Sequence, residues 1–297
     1  MITNKTNLPK PIYRALCHSD YDRGESNRSA TQLIDSPRVS ILRKEHRDEI
    51  TTDCSEMVWA CVGTSVHALF ERHSTGESEI PEQRLFAEVD GWNISGAIDL
   101  QVMDGKGGVS IYDYKVTSVW SVIYGKPEWV NQLNFYAWLV EQNTELSVNS
   151  LNVLAVLKDW RQREADTKSD YPQSGIVSVP IELWTREERD AYVRERVDLH
   201  QDAEYGRLVG EELPPCSAQE RWEKPATFAL KKGKNKRAIK LFSSHEDAQA
   251  HIDEFLSDDA KKYWIEERPG EPVRCMGDWC KVSAWCKQFK EIQDAGS

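Results

Sequence analysis

Gly96-Ala97-Ile98-Asp99-Leu100 and Ile111-Tyr112-Asp113-Tyr114-Lys115 are two short arms joined through a turn at Asp104 to Gly108 that carries three glycines. β-Branched and aromatic residues dominate both arms, and glycine supplies the turn, so the stretch predicts strand, turn, strand. Symmetry about Lys106 sets Asp99 opposite Asp113, with Cβ atoms roughly 4.5–5.5 Å apart. Like charges repel at that distance, so the two carboxylates need a shared proton or a cation between them. Lys115 follows Asp113 by two residues and projects from the same face. Two acids and a lysine so placed make a compact site for a hard divalent ion and a charged transition state. The competing reading is a polar, solvated sheet face.

Working outward, Ser29 to Leu42 reads as a capped short helix broken at Ser36-Pro37, then a second helix. Met57 to His73 predicts a helix with Val58, Val62, Val66, Leu69 and Phe70 on its apolar stripe, and His67 with Glu71 on another face. Leu85 to Trp92 reads as a strand entering the hairpin. Beyond Lys115 an aromatic loop leads to a helix over about 128–141, with Val130, Leu133, Ala137 and Val140 as its core stripe. Strands at 151–157 and 176–181 and a charged helix over about 185–207 complete a mixed sheet flanked by helices, an α/β class of fold. Leu213-Pro214-Pro215 then makes a stiff break. After it come strands at 227–230 and 238–242, a helix at 245–255 and a strand at 263–267, a small β-β-α-β unit. The expected division is an arm at 1–28, a core at 29–212 and an accessory unit at 213–297.

The 297 residues suffice for a sizeable core, and 29% charged with 39% hydrophobic residues is ordinary for a globular chain. A net charge of −11 excludes a protein that coats nucleic acid by overall charge, but not a local basic track feeding an acidic site. No apolar run is long enough for a transmembrane helix, and the polar stretch from Met1 to Pro11 is not a signal sequence. The expected compartment is the cytoplasm, where disulfides are rare, so seven cysteines call for burial or metal ligation.

In order along the chain, Gly63-Thr-Ser-Val-His67, Gly96-Ala-Ile-Asp99, Asp113-Tyr-Lys115 and Gln132-Leu-Asn-Phe-Tyr136 resemble the RecB-like branch of the PD-(D/E)xK nucleases, over roughly residues 29–205. The resemblance implies a restriction-endonuclease-like core. It implies that His67, Asp99, Asp113 and the Tyr114 backbone carbonyl hold Mg²⁺ or Mn²⁺, and that Lys115 positions the attacking water. Gln132 and Tyr136 would touch the DNA backbone beside the site. Glu88 is a weaker candidate for a further acidic ligand.

Cys275-x4-Cys280-x5-Cys286, with Cys216 far upstream, supplies four thiols that fit a [4Fe–4S] cluster or a structural Zn²⁺. The trio is similar to that of the CRISPR-associated and helicase–nuclease members, which implies the cluster. Two features depart from them. Their amino-terminal Cys-Pro-Arg is Ser36-Pro37-Arg38 here, and the first gap of the trio is longer.

Lys231, Lys232, Lys234, Lys236 and Arg237 form the one dense basic run, either a phosphate-tracking turn or a solvated one. Trp120, Tyr124 and Trp129 are candidates for stacking unpaired bases or for core packing. By this resemblance the chain is expected to be a metal-dependent deoxyribonuclease acting on DNA, preferentially single-stranded. The expected mode is an exonuclease in recombination, repair or phage DNA processing, with no membrane role and with room for a recombination or helicase partner. The alternatives are a nucleic-acid-binding assembly subunit with an inactive site, and a structure-specific endonuclease.

Overall fold

The computed structural model describes residues 1–18, 24–277 and 279–295, so residues 19–23 of the expected arm and residues 278 and 296–297 of the accessory unit lie outside the described residues. Packing divides the chain into two units, one of residues 1–40 with 47–213, the other of Ile41–His46 with everything from Pro214 onward.

The first unit is built on a mixed sheet. Helix α1 (Val58–His73) precedes strands β1 (Glu79–Val89), β2 (Trp92–Met103) and β3 (Gly108–Thr117). A short helix α2 (Val119–Ile123) and the long α3 (Pro127–Asn143) carry the chain over to β4 (Ser147–Leu157), then β5 (Ile176–Ile181) and α4 (Arg186–Leu208). Neighbours β1–β2, β2–β3 and β4–β5 are antiparallel, while β3–β4 is parallel because α3 returns the chain to the same end. Asp90 and Gly91, both at positive φ, close the β1–β2 hairpin, as Asp-Gly does in two-residue turns. In the next hairpin Leu100 faces Tyr112 and Met103 faces Val109, a register centred on Lys106 as the sequence predicts.

Helix α3 lies deep in the core, with Leu133, Phe135, Leu139 and Val140 buried against Ile94, Ile98, Ile111 and Leu151 of the sheet. Its approach is close at Gly96, where a Cβ would sit 2.6 Å from Leu139 Cδ1 and 2.9 Å from Tyr136 Cε1. Gly96→Ala is therefore expected to destabilise the fold by about 1–3 kcal/mol, read as a lower urea midpoint. Gly63→Ala, with nothing within 4 Å of the new methyl inside α1, should instead add roughly 0.5–1 kcal/mol. Two polar groups inside the core show how such groups are held. Asn134 donates to the Val130 and Glu182 carbonyls and accepts from Trp184 N–H, while Arg189 of α4 grips both oxygens of Glu141 at 2.7 Å.

Two sequence expectations are corrected here. The amino-terminal segment is not a bare arm: Ile2–Thr3 pairs in parallel with Thr52–Asp53, and Lys10–Cys17 is helical. The apolar stripe of α1 is not a core face either. Val58, Val62 and Leu69 are exposed, and the helix instead turns His67 and Phe70 toward the ring of Tyr114 on β3. The face that meets the sheet is thus set by His67, not by the most apolar stripe.

In the second unit β6 (Thr227–Lys232) lies between β7 (Lys240–Phe242) and β8 (Tyr263–Arg268), antiparallel to both. Helix α5 (His245–Phe255), capped by Ser244, buries Ala248 and Ile252, and the sheet buries Ala229 and Leu230. Among the described residues no helix is long and apolar enough to cross a membrane.

Candidate active site

Three carboxylates form a row across the sheet. The β1–β2 register pairs Pro81 with Leu100 and Gln83 with Ile98, which sets Glu82 opposite Asp99. The β2–β3 register in turn sets Asp99 opposite Asp113. Regular pairing stops around these positions. The β2–β3 ladder ends at Leu100 and Tyr112, and Asp99 Oδ2 instead accepts the Tyr114 N–H at 2.5 Å. Glu82 adopts φ 46°, a left-handed conformation that costs energy for a side chain of this kind and is concentrated at functional sites.

His67 reaches down from α1 onto this row. Its Nδ1 lies 3.4 Å from Asp99 Oδ1 and 3.5 Å from Glu82 Oε1, and its Nε2 lies 3.0 Å from the Tyr114 carbonyl. Burial alone would lower its basicity, but hydrogen bonds and charge from Asp99 and Glu82 raise its pKa to about 10. The imidazolium therefore supplies the positive charge that the row demands, rather than pairing with Glu71. Ligand atoms of His67, Glu82 and Asp99 lie within 4.8 Å of one another, the one such group of three His, Cys, Asp or Glu among the described residues.

Asp113 is 2% exposed. Desolvation lifts its pKa to about 6 even though Lys115 Nζ lies 2.6 Å from Oδ2, so at neutral pH the two form an ion pair. Burial opposes the charge on Lys115, but Asp113 more than compensates and raises its pKa. Gln132 Nε2 donates to Asp113 Oδ1 at 3.1 Å and to Tyr136 Oη at 2.7 Å. Gln132 and Tyr136 are 8% and 4% exposed, so they orient the Asp113 carboxylate rather than line an open DNA surface. Core burial of α3 accounts for this.

The sequence misjudged the third acid. Glu88 is exposed and faces Asn93, six residues along β1 from Glu82 and thus about 20 Å away. The missed signal is Asp90-Gly91: counting back from that turn pairs Glu82 with Asp99 and Glu88 with Asn93. Glu82→Gln is expected to weaken Mn²⁺ binding about tenfold or more by calorimetry, with Glu88→Gln unchanged.

The donor set fits a divalent cation. Glu82 Oε1 and Asp113 Oδ2 are buried, and their neighbours, His67 Nδ1 at 3.5 Å and the Lys115 ammonium at 2.6 Å, approach without well-aligned hydrogen-bond geometry; hard carboxylate oxygens with one imidazole suit Mg²⁺ or Mn²⁺.

The other predicted residues separate. Trp129 is core, whereas Trp120 and Tyr124 are exposed. Lys231 is drawn into the β6–β8 pair, where it is ion-paired to Glu266 at 2.6 Å and covered by Trp264, so it does not serve the basic turn. Lys232, Lys234, Lys236 and Arg237 stay exposed. Among the cysteines, burial first and then the neighbouring Cys280 and Cys286 thiols push the Cys275 thiol up to about 11. Cys216 joins the helix after Cys286 through Gln288, which accepts its N–H at 2.8 Å and donates to its carbonyl at 3.0 Å.

Residues 56–287 match the family described as the PD-(D/E)XK nuclease superfamily, and the chain belongs to that superfamily. No curated protein matches the sequence. Among solved structures, SSO0001 is similar at 16% identity and a TM-score of 0.41, over 64% of this chain and 82% of its own. A protein from Eubacterium rectale named "Putative exonuclease" is similar at 17% identity and a TM-score of 0.29, over 66% and 74%.

Proposed function

We propose that this chain is a deoxyribonuclease of the RecB-like branch that degrades single-stranded DNA from an end, using Mg²⁺ or Mn²⁺. The observation that carries the reading is the carboxylate row Glu82, Asp99 and Asp113, with His67 above it and the Lys115 ammonium beside its last member. Those three acids, His67 and the Tyr114 carbonyl would hold the cation. Bound there, it would supply a water ionised near neutral pH and stabilise charge on the phosphoryl oxygens. To serve as a ligand, His67 would have to lose its proton to solvent, and with it the hydrogen bonds it now makes to the Tyr114 carbonyl and the carboxylates. Lys115 is partly open to solvent, with 28% of its side chain exposed, so its charge can face a phosphate while Asp113 anchors it. Gln132 keeps Asp113 in one orientation.

In the second unit, Cys216, Cys275, Cys280 and Cys286 would hold a [4Fe–4S] cluster or, in the alternative, zinc; thiols, three of them buried and Cys275 half-buried, are the soft donors that either requires. Lys232, Lys234, Lys236 and Arg237 would follow the phosphate backbone. The fitting setting is DNA recombination, repair or phage DNA processing in a bacterial or phage-infected cytoplasm. The test is cleavage of labelled linear and circular, single- and double-stranded DNA with Mg²⁺, Mn²⁺ or chelator. Loss of linear single strands alone, abolished by chelator, is expected. Equal cutting of circles would replace the exonuclease with an endonuclease, and no cutting of any DNA would overturn the reading.

A further inference from the structure

Directly after the strand that carries Asp113 and Lys115, the chain builds an aromatic platform that the site described above does not use. Ser118 follows β3 as the N-cap residue of α2, which begins with its Val119 N–H bonded to Asp159 Oδ1 at 2.8 Å. The Thr117 carbonyl accepts from Lys158 N–H at 2.9 Å, so the ends of β3 and β4 are tied together at this point. Gly125 at φ 70° halts the helix and leaves Tyr124 standing at its end. Trp120 and Tyr124 are 55% and 78% exposed, yet their rings stack at 13° with centroids 5.7 Å apart. A rigid, solvent-facing aromatic pair is a costly feature for a surface that binds nothing.

The pair forms one wall of a cavity of about 410 Å³, within the usual range for a ligand site. Ile123, Arg161, Lys168 and Tyr171 are among its other lining residues. Charge in the wall is acidic rather than basic, with Arg161 and Lys168 set against Asp159, Glu164 and Asp170; Glu164 holds Lys168 at 2.5 Å, and Asp159 is bound to the helix it caps. Such a wall does not select a phosphate. It suits a neutral, planar group with a π-face and polar edges, with Arg161 able to lie against the ring. Beside it, Lys158 Nζ lies 4.5 Å over the exposed ring of Trp59, on α1 two turns before His67. Five residues separate Lys115 from Trp120, a reach of at most roughly 18 Å.

We propose that this cavity is a base-binding subsite, in which Trp120 and Tyr124 stack one unpaired nucleobase of the strand whose phosphate lies at Lys115. The assignment rests on the nuclease reading above and adds a requirement for unpaired DNA at a defined distance from the cut. A base within a duplex offers no free face to such a platform, so the subsite would itself favour single strands.

The test is anisotropy of end-labelled single-stranded oligonucleotides in chelator, with one abasic position walked along the strand. Wild type should lose about tenfold in affinity when the abasic position meets the subsite, and much less elsewhere. The W120A/Y124A double variant should bind the intact strand about tenfold or more weakly and be indifferent to the abasic walk. W120F/Y124F, which keeps both rings, should restore affinity and position dependence. Intact-strand affinity unchanged in W120A/Y124A, or an abasic walk without a preferred position in wild type, would overturn the subsite while wild-type cleavage with Mn²⁺ keeps the nuclease reading standing. A wild type that cuts no DNA would remove both.

Discussion

Lys115→Met is expected to slow single-turnover DNA cleavage by roughly a hundred- to a thousandfold or more, because on the proposed reading it removes the ammonium that would face the developing charge. Asp113→Asn and Asp99→Asn should do the same by removing hard oxygen ligands. The fold should survive all three, with circular dichroism unchanged. Asp113→Asn makes the sharper prediction, since the Asp113 pKa is raised to about 6 by burial. A carboxyl that binds its proton more tightly folded than unfolded costs stability when ionised. That cost is full above about pH 6 and gone below about pH 4, where both states are protonated. His67, with a folded pKa of about 10 and an unfolded value of about 6.5, adds slope only at the top of that range and adds it to both proteins alike, so it cancels in the comparison. Relative to Asp113→Asn, then, wild type should gain thermal stability as the pH falls from 6.5 to 4.5. Full activity in Lys115→Met, or an opposite pH slope, would dismantle the assigned site.

Serine at Cys216, Cys275, Cys280 or Cys286 is expected to lower melting temperature and metal content together. Ligation joins residues some 60 positions apart in sequence, and free energy of binding at such a site is folding free energy. Serine at Cys17, Cys54 or Cys61 should leave metal content unchanged, while at Cys54, fully buried, it costs packing. Anaerobically purified protein should be brown, with about four irons per chain. One zinc in colourless protein would keep the four-thiol site and discard the cluster. Protein without metal would discard both, leaving the raised Cys275 pKa as simple burial of a thiol.

Much of the site was legible in the sequence because strand periodicity and turn chemistry are local. Alternation puts Asp113 and Lys115 on one face, and a glycine turn centred on Lys106 fixes Asp99 opposite Asp113 with no knowledge of the rest of the chain. The helix and strand order of the first unit follows in the same way. Apolar patterning proved a poorer guide where a functional side chain dictates which face turns inward. Helix α1 leaves Val58, Val62 and Leu69 in solvent so that His67 can meet two carboxylates.

Other assignments needed the tertiary structure. Glu82 and Glu88 share a strand and a face, and only the pairing of β1 with β2 separates the acid opposite Asp99 from one about 20 Å away. Gln132 and Tyr136 were recognisable as a pair, but their burial beneath the sheet decides that they hold Asp113. Trp120, Tyr124 and Trp129 are equivalent in composition and neighbours in sequence. The short helix after β3 and the packing of α3 expose the first two and bury the third. The chain's own sequence therefore determined which chemical groups are available and which local faces they occupy. The fold determined which of them meet, because contact between elements distant in sequence depends on register and packing that no local pattern records.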